Sequence, residues 1–424
     1  VEKPTPDLLP ENEERKLRLK AIGRAYAPLF AAFSGRILEL AREQKLTDAW
    51  FFTREGFFFK AVFESFQRGL GDIAVQPRLL HVSRLATFAA SLTPPLEQSL
   101  QRLWSQYSTQ SIENLFSSLG IPPDAFEKAI SAQGLRLQSP AKALNFEDVA
   151  LRAPLERAVL AKEASLRQYL QETGFPESGA ALVVDIGWRG TIQDNLAHLL
   201  PEVLFSGAYL GLLPRLNKEP SNVTKAALIA DLQLDDSLQS RQRLTHSLPF
   251  EMLCNGQGGS VKGYHEGKPT LELNQEEDRV FQSFTRYVQA GVLEEVYQLG
   301  VAVREGALTR ERLRIEGLAV WDTILRNPAP ALIEAVLTLE HNETFGVGQH
   351  IRYGAGITWK LLLSSLTNRS ARERLVVESI GLPWKKQLRT HPGVSAALKT
   401  WLTVEPAVKV VRKVLKKLKS GIVL

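Results

Sequence analysis

Between Ala180 and Leu196 the chain passes through five apolar residues, an acid, a glycine-containing turn and an amphipathic segment: Ala180-Ala-Leu-Val-Val-Asp185-Ile-Gly187-Trp188-Arg189-Gly190-Thr191-Ile-Gln193-Asp-Asn-Leu196. A short uninterrupted apolar run fits a strand buried on both faces, and such strands belong to parallel sheets joined by helical crossovers. Ile192, Leu196 and Leu199 then recur at helical spacing. The unit is therefore strand, turn and helix, which points the chain to an α/β fold. Gly187 and Gly190 allow close approach of backbone to a bound group, and the first-turn N–H groups with the Thr191 hydroxyl suit an anion. Asp185 stands at the carboxyl end of the strand, where open α/β sheets bind ligands. The turn is expected at an exposed edge, holding a phosphate, while the acid holds hydroxyls or a metal. Such glycine turns also arise for steric reasons alone, so the rest of the chain decides.

Two further turns share this plan. Asp48-Ala-Trp-Phe-Phe52 reads as a strand ending in Thr53-Arg54-Glu55-Gly56, ahead of a helix with Phe59, Phe63, Phe66 and Leu70 on one face. The segment from Arg78 ends in Ser83-Arg84 before another helical pattern, with His81 as a packed strand residue. All carboxyl ends of an open parallel sheet share one edge, so the three turns are expected to converge on one ligand. The alternative for Arg54 and Glu55 is an ordinary surface ion pair.

The expected architecture is an open, mainly parallel, Rossmann-like α/β sheet with an inserted helical subdomain and a largely helical C-terminal region. Residues 1–48 form an N-terminal helical segment, with a kink expected at Pro28, and 49–93 the first part of the core. Residues 94–173 form the helical insert, a lid or acceptor-side wall. Residues 174–275 complete the core, with strands over Val203–Leu213 and Lys225–Ala230. They also hold a helix from about Gln242 to Leu253, carrying or adjoining His246 and Glu251, and a loop and hairpin over Asn255–Tyr264. Residues 276–405 read as helical, and 406–424 as a separate basic helix.

Composition narrows the class. With 44% hydrophobic and 23% charged residues in 424, the chain has enough apolar residues for a sizeable core. Its one cysteine, Cys254, forbids an internal disulfide, and no secretory signal pattern or membrane-spanning run is present, so a cytoplasmic location is expected. Val1-Glu-Lys-Pro-Thr-Pro6 reads as an interdomain linker, so the chain is expected to be one part of a longer polypeptide. Six basic residues in 406–424 equal the whole net charge of +6, which argues against a broad nucleic-acid surface. On a helical wheel those residues oppose Ala407, Val408, Val410, Val411, Val414, Leu415 and Leu418, a division that suits an anionic membrane surface or docking on the protein itself. No zinc-type Cys/His spacing and no serine nucleophile elbow appears.

Taken together, Phe52-Thr-Arg-Glu-Gly-Phe57, His81-Val-Ser-Arg84 and Val184-Asp-Ile-Gly-Trp-Arg-Gly-Thr-Ile-Gln193 resemble a known family, as do Phe250-Glu251 and Gly259-Ser-Val-Lys-Gly-Tyr264. They are similar to the non-phosphatase part of bacterial polysaccharide-locus proteins of the haloacid-dehalogenase-like group, which include dual-domain ribofuranosyltransferases. In those, this part is a glycan phosphoribosyltransferase that uses phosphoribosyl pyrophosphate, and the phosphatase domain removes the 5-phosphate. The resemblance spans roughly Ala21 to Tyr264. The phosphatase Asp-x-Asp motif is absent from the N-terminal part, so dephosphorylation is expected of a fused or separate phosphatase.

The resemblance implies transfer of 5-phosphoribosyl, with Mg2+, to a lipid-linked glycan of O-antigen or capsule synthesis at the inner face of the membrane. It implies that the Gly187–Thr191 loop, with Trp188, Arg189, Gly190 and Gln193, binds the 5-phosphate end of the donor. Asp185 is placed on ribose hydroxyls or the metal, Glu55 on magnesium, and Arg54 and Arg84 on pyrophosphate. Thr53, Gly56, Ser83 and His246 are further substrate-binding candidates, and Asp185 or Glu251 takes the acceptor proton. A sugar-nucleotide glycosyltransferase and a non-catalytic scaffold module are the competing readings.

Overall fold

The computed structural model describes residues 13–105, 109–338, 340–341, 351–352, 358–368, 370–371, 375, 384–392 and 394–405. They fall into two compact units, the first running to Trp321 and the second starting at Asp322.

The first unit is built on a five-stranded sheet of order β2-β1-β3-β4-β5, in which every neighbouring pair is parallel. Its strands are β1 (Asp48–Phe52), β2 (Gln76–Leu80), β3 (Gly179–Asp185), β4 (Val203–Leu212) and β5 (Val223–Asp231). Helix α1 (Glu13–Glu43) precedes the sheet as one continuous helix containing Pro28, and α2 (Gly56–Leu70) joins β1 to β2. Between β2 and β3 come α3 (Arg84–Phe88), α4 (Leu96–Trp104), α5 (Ile112–Leu119), α6 (Glu127–Ala132) and α7 (Val149–Thr173). Helix α8 (Thr191–Leu199) joins β3 to β4. The β4–β5 crossover has no helix; Asn222 anchors its end by donating to the carbonyls of Ala197, Leu200 and Val203.

Alternation along the strands sets the two faces. Trp50, Phe52, Ala181, Val183, Val203 and Phe205 pack with Leu166 and Leu170 of α7 and Leu196 of α8. Phe51, on the other face of β1, meets Phe63 of α2 at 5.5 Å between ring centroids. Among the helices between β2 and β3, Leu100, Leu103, Trp104, Leu115, Phe116 and Leu155 are buried together. Ser111 and Asp148 cap α5 and α7 by accepting the Asn114 and Ala150 N–H groups, and Gly120 and Gly174 close these helices in left-handed conformation.

The helix expected around Gln242 to Leu253 is in fact two, α9 (Leu238–Arg243) and α10 (Leu248–Cys254), because Pro249 starts a new first turn and cannot continue the old one. The expected hairpin is β6 (Ser260–His265) paired antiparallel with β7 (Lys268–Glu272). Helices α11 (Gln275–Val280), α12 (Arg286–Arg304) and α13 (Arg310–Arg326) follow. Residues up to Trp321 fall in the same compact unit as the sheet, and α12 packs on both α1 and α2. Four glycines permit that approach. A Cβ on Gly23 or Gly291 would lie 1.9 or 2.0 Å from a carbonyl oxygen across the α1–α12 contact, and one on Gly69 or Gly300 would lie 2.1 or 2.6 Å from one across α2–α12.

The second unit is largely helical, with α14 (Pro330–Thr338), α15 (Trp359–Thr367) and α16 (Lys385–Leu388). Within it the Trp384 indole donates to the Ile324 carbonyl at 2.9 Å, and Lys385 pairs with buried Glu405 at 2.9 Å. Residues 406–424, where the sequence places the basic amphipathic helix, lie outside the described residues. Among the described residues no helix is long and apolar enough to cross a membrane.

Candidate functional site

In strand order 2-1-3-4-5 the chain winds one way from β1 to β2 and the other way from β3 onward, so β1 and β3 flank the switch point where open sheets bind ligands. Their carboxyl ends carry Thr53-Arg54-Glu55 and Asp185. Thr53 extends the pairing, its N–H donating to the Leu80 carbonyl at 3.1 Å, and Gly56 opens α2 against β1, where a Cβ would fall 2.8 Å from the Phe51 backbone. The end of β2 is clipped by the hairpin: Tyr264 donates to the His81 carbonyl at 2.9 Å and Ser83 Oγ to the Val261 carbonyl at 2.6 Å. His81 follows the strand, which ends at Leu80, and its backbone N–H donates to the Tyr169 hydroxyl at 2.7 Å. Arg84 is exposed, and its charge acts on Asp185.

The crevice is acidic. Arg54 is ion-paired with Glu277 of α11 and lies 3.9 Å from Glu55. Burial would lower the Arg54 pKa, but the carboxylates of Glu55, Glu277 and Glu251 more than offset it and hold the guanidinium charged. Burial raises the pKa of Glu55 despite Arg54, with Glu251 and Glu277 adding to the rise. Asp185 is pushed well above the usual carboxylate range by burial and then by Glu55, although its carboxylate accepts the Ile186 N–H at 2.8 Å. Two guanidiniums thus stand among four carboxylates, Glu55, Asp185, Glu251 and Glu277. The buried Cys254 thiol is pushed well up by burial and by Glu55 and Glu251.

The β3–α8 turn is more tightly laced to the fold than an exposed edge implies. Ile186 and Trp188 accept from the Leu210 and Leu213 N–H groups at 3.2 and 2.6 Å, and Arg189 accepts from Lys225 Nζ at 3.1 Å while its own guanidinium donates to Pro214. Gly187 (φ 136°) approaches β4 so closely that a Cβ would lie 2.2 Å from the Gly211 carbonyl oxygen. Gly190 (φ 68°) is buried, and a Cβ there would fall 2.7 Å from Lys225 Cε and 2.9 Å from the Tyr209 hydroxyl. The glycines therefore have reasons internal to the fold, and a branched residue at 190 would strike Lys225 and Tyr209, contrary to the expectation of an exposed edge. Helix α8 still starts at Thr191, so its first-turn N–H groups belong to this edge.

Of the sequence candidates, Arg54, Glu55, Arg84, Asp185 and Glu251 form one electrostatic cluster, and Trp188 joins it through its indole N–H, 2.7 Å from Glu251 Oε1. Gln193 is fully buried, its amide donating to the Thr224 carbonyl at 3.0 Å and accepting from Tyr209 at 2.6 Å. Ser83 caps α3, accepting the Ala86 N–H at 3.0 Å. His246 lies in the turn between α9 and α10 that leads to Glu251. Glu277 was not foreseen: it sits in Glu276-Glu277-Asp278, which in sequence reads as an ordinary acidic first turn.

Glu55 and Asp185 offer two hard oxygen donors whose mutual repulsion a cation would relieve, as Mg2+ sites with one or two carboxylates plus substrate phosphates require. Among the described residues no three His, Cys, Asp or Glu side chains group as metal ligands. Fold and cluster define an open parallel α/β protein with a charged crevice at its switch point. In sequence comparison no protein-family model and no curated protein matches the chain.

Proposed function

We propose that the chain is a bacterial surface-polysaccharide glycosyltransferase that moves 5-phosphoribosyl from phosphoribosyl pyrophosphate to a glycan of O-antigen or capsule synthesis, releasing pyrophosphate. The observation that carries this reading is the gathering of Arg54, Glu55, Arg84 and Asp185 at the β1/β3 switch point. A crevice with four carboxylates and two guanidiniums repels a bare pyrophosphate but suits its magnesium complex. Glu55 and Asp185 would hold Mg2+, which supplies charge neutralisation at the leaving pyrophosphate. Arg84 and Arg54 add positive charge where the leaving group gains negative charge, and the start of α8 takes the 5-phosphate. The acceptor is lipid-linked, met at the inner face of the membrane through residues 406–424, and a fused or separate phosphatase removes the 5-phosphate.

Calorimetric titration with phosphoribosyl pyrophosphate, with and without Mg2+, and pyrophosphate release with a panel of synthetic glycans test the reading. Donor affinity is expected to fall on the order of tenfold or more without Mg2+. Arg84→Ala is expected to cost on the order of 10² in turnover. It is a cleaner probe than Arg54→Ala, which would leave buried Glu55 and half-buried Glu277 without their counter-charge. Binding of nucleotide sugars in place of phosphoribosyl pyrophosphate, or of neither, would reject the proposal.

A further inference from the structure

Resting on that transferase reading, we infer that Glu251 is the base that takes the acceptor proton and that Trp188 is the residue that positions it. The geometry separates Glu251 from Glu55 and Asp185. Glu55 and Asp185 are only 8% and 6% exposed, and Asp185 turns back on its own backbone to accept the Ile186 N–H. Both are also the carboxylates that would hold Mg2+, so their oxygens would be committed to the metal rather than to the acceptor proton. Glu251 is half-buried, in the first turn of α10, so a proton received there has a route to water after each turnover.

Its carboxylate is also aimed. The Trp188 indole Nε1–H donates to Glu251 Oε1 at 2.7 Å. An indole N–H only donates, so the carboxylate oxygen is the acceptor and the bond orients the group. The indole is itself anchored: a Cβ on Gly211 would lie 3.1 Å from its ring, and its edge meets Trp321 at 6.4 Å between centroids. Trp321 stacks at 3.4 Å on Phe250, the residue before Glu251, and its own indole donates to the Arg243 carbonyl at 3.0 Å. Both ends of the Trp188–Glu251 bond are therefore tied to one aromatic stack. The ionisable groups whose charges couple to Glu251 include Arg54, Glu55, Asp185 and Cys254.

In the step itself, the acceptor oxygen forms a bond to the anomeric carbon of the phosphoribosyl group. The bond from that carbon to the pyrophosphate oxygen breaks, its electron pair leaves on pyrophosphate, and the hydroxyl proton passes to the Glu251 carboxylate.

The experiment uses the whole chain as wild type, Glu251→Gln and Trp188→Phe. Calorimetry with Mg2+ and phosphoribosyl pyrophosphate gives donor affinity, and pyrophosphate release at varied concentrations of a synthetic glycan gives kcat and the glycan KM. Glu251→Gln is expected to bind the donor within about threefold of wild type, showing that it is folded, while turnover falls roughly 10²- to 10⁴-fold. Trp188→Phe keeps an aromatic ring but loses the N–H. Donor binding is expected to persist and the glycan KM to stay within about threefold, while kcat falls on the order of 10- to 100-fold because the base is no longer aimed. Donor-bound Glu251→Gln with near-normal turnover would overturn the base, and an unchanged kcat in Trp188→Phe would overturn the positioning role. A wild-type protein that does not bind the donor would overturn the transferase reading and this inference with it, a result distinct from either variant's.

Discussion

Asp185 shows how a single residue can serve a site against the interest of the fold. Its pKa is raised by burial and by Glu55 above the ordinary 3.8, so the folded state holds the proton more tightly than the unfolded chain. The stability this contributes is fully present below pH 3.8 and is lost as pH rises through the raised value. Asp185→Asn, which cannot ionise, is therefore expected to match wild type near pH 4 and to melt a few degrees higher at neutral pH in EDTA. Thermal unfolding across pH checks this; a variant less stable than wild type at neutral pH would mean that the carboxylate is compensated in the fold. Asp185, Arg54 and Glu55 were legible in sequence because each ends an apolar run, and a parallel sheet brings such ends to one edge. Glu277 was not, since nothing in an acidic helix start tells which guanidinium it meets 223 residues away. The glycines of the β3–α8 turn were visible, but their contacts with Gly211, Lys225 and Tyr209 depend on β4 and β5.

Among the elements, α12 shows the limit of a helical pattern. Its amphipathic pattern marks it as a helix, but a pattern of 3.6 residues does not name the surface it covers. The small residues on it do, once the partners are known: Gly291 sits against Lys20 of α1 and Gly300 against Phe66 of α2. Gly291→Leu is expected to force α1 and α12 apart, costing roughly 1–3 kcal/mol or more, because the carbonyl oxygen 2.0 Å from the new Cβ is helix backbone and cannot rotate away. Gly35→Ala, also in α1, is the matched control. An added methyl there meets nothing within 4 Å, and replacing a helical glycine is expected to gain about 0.5–1 kcal/mol. Urea unfolding of both variants measures the difference, and equal stabilities would show that the two helices slide without cost.

At the scale of the whole molecule, every residue proposed to act on donor or acceptor lies before Trp321, in the first unit. The sequence beyond it contributes a different property, concentrated in residues 406–424, where six basic residues and no acid stand opposite an apolar half on the helical wheel. Near an anionic bilayer each such residue adds about 1 kcal/mol of attraction, enough in sum to hold a protein at the surface without a spanning helix. Removing Pro406 to Leu424 is therefore expected to release the protein from vesicles containing phosphatidylglycerol. Binding of phosphoribosyl pyrophosphate and turnover on a soluble acceptor should be unchanged, while turnover on a vesicle-embedded acceptor should fall. Co-sedimentation at low and high salt separates the contributions, since the Coulombic part weakens as the screening length shortens from about 10 Å to about 3 Å. Full vesicle binding by the truncated chain would place the membrane contact elsewhere. Loss of donor binding on truncation would mean instead that these residues support the fold.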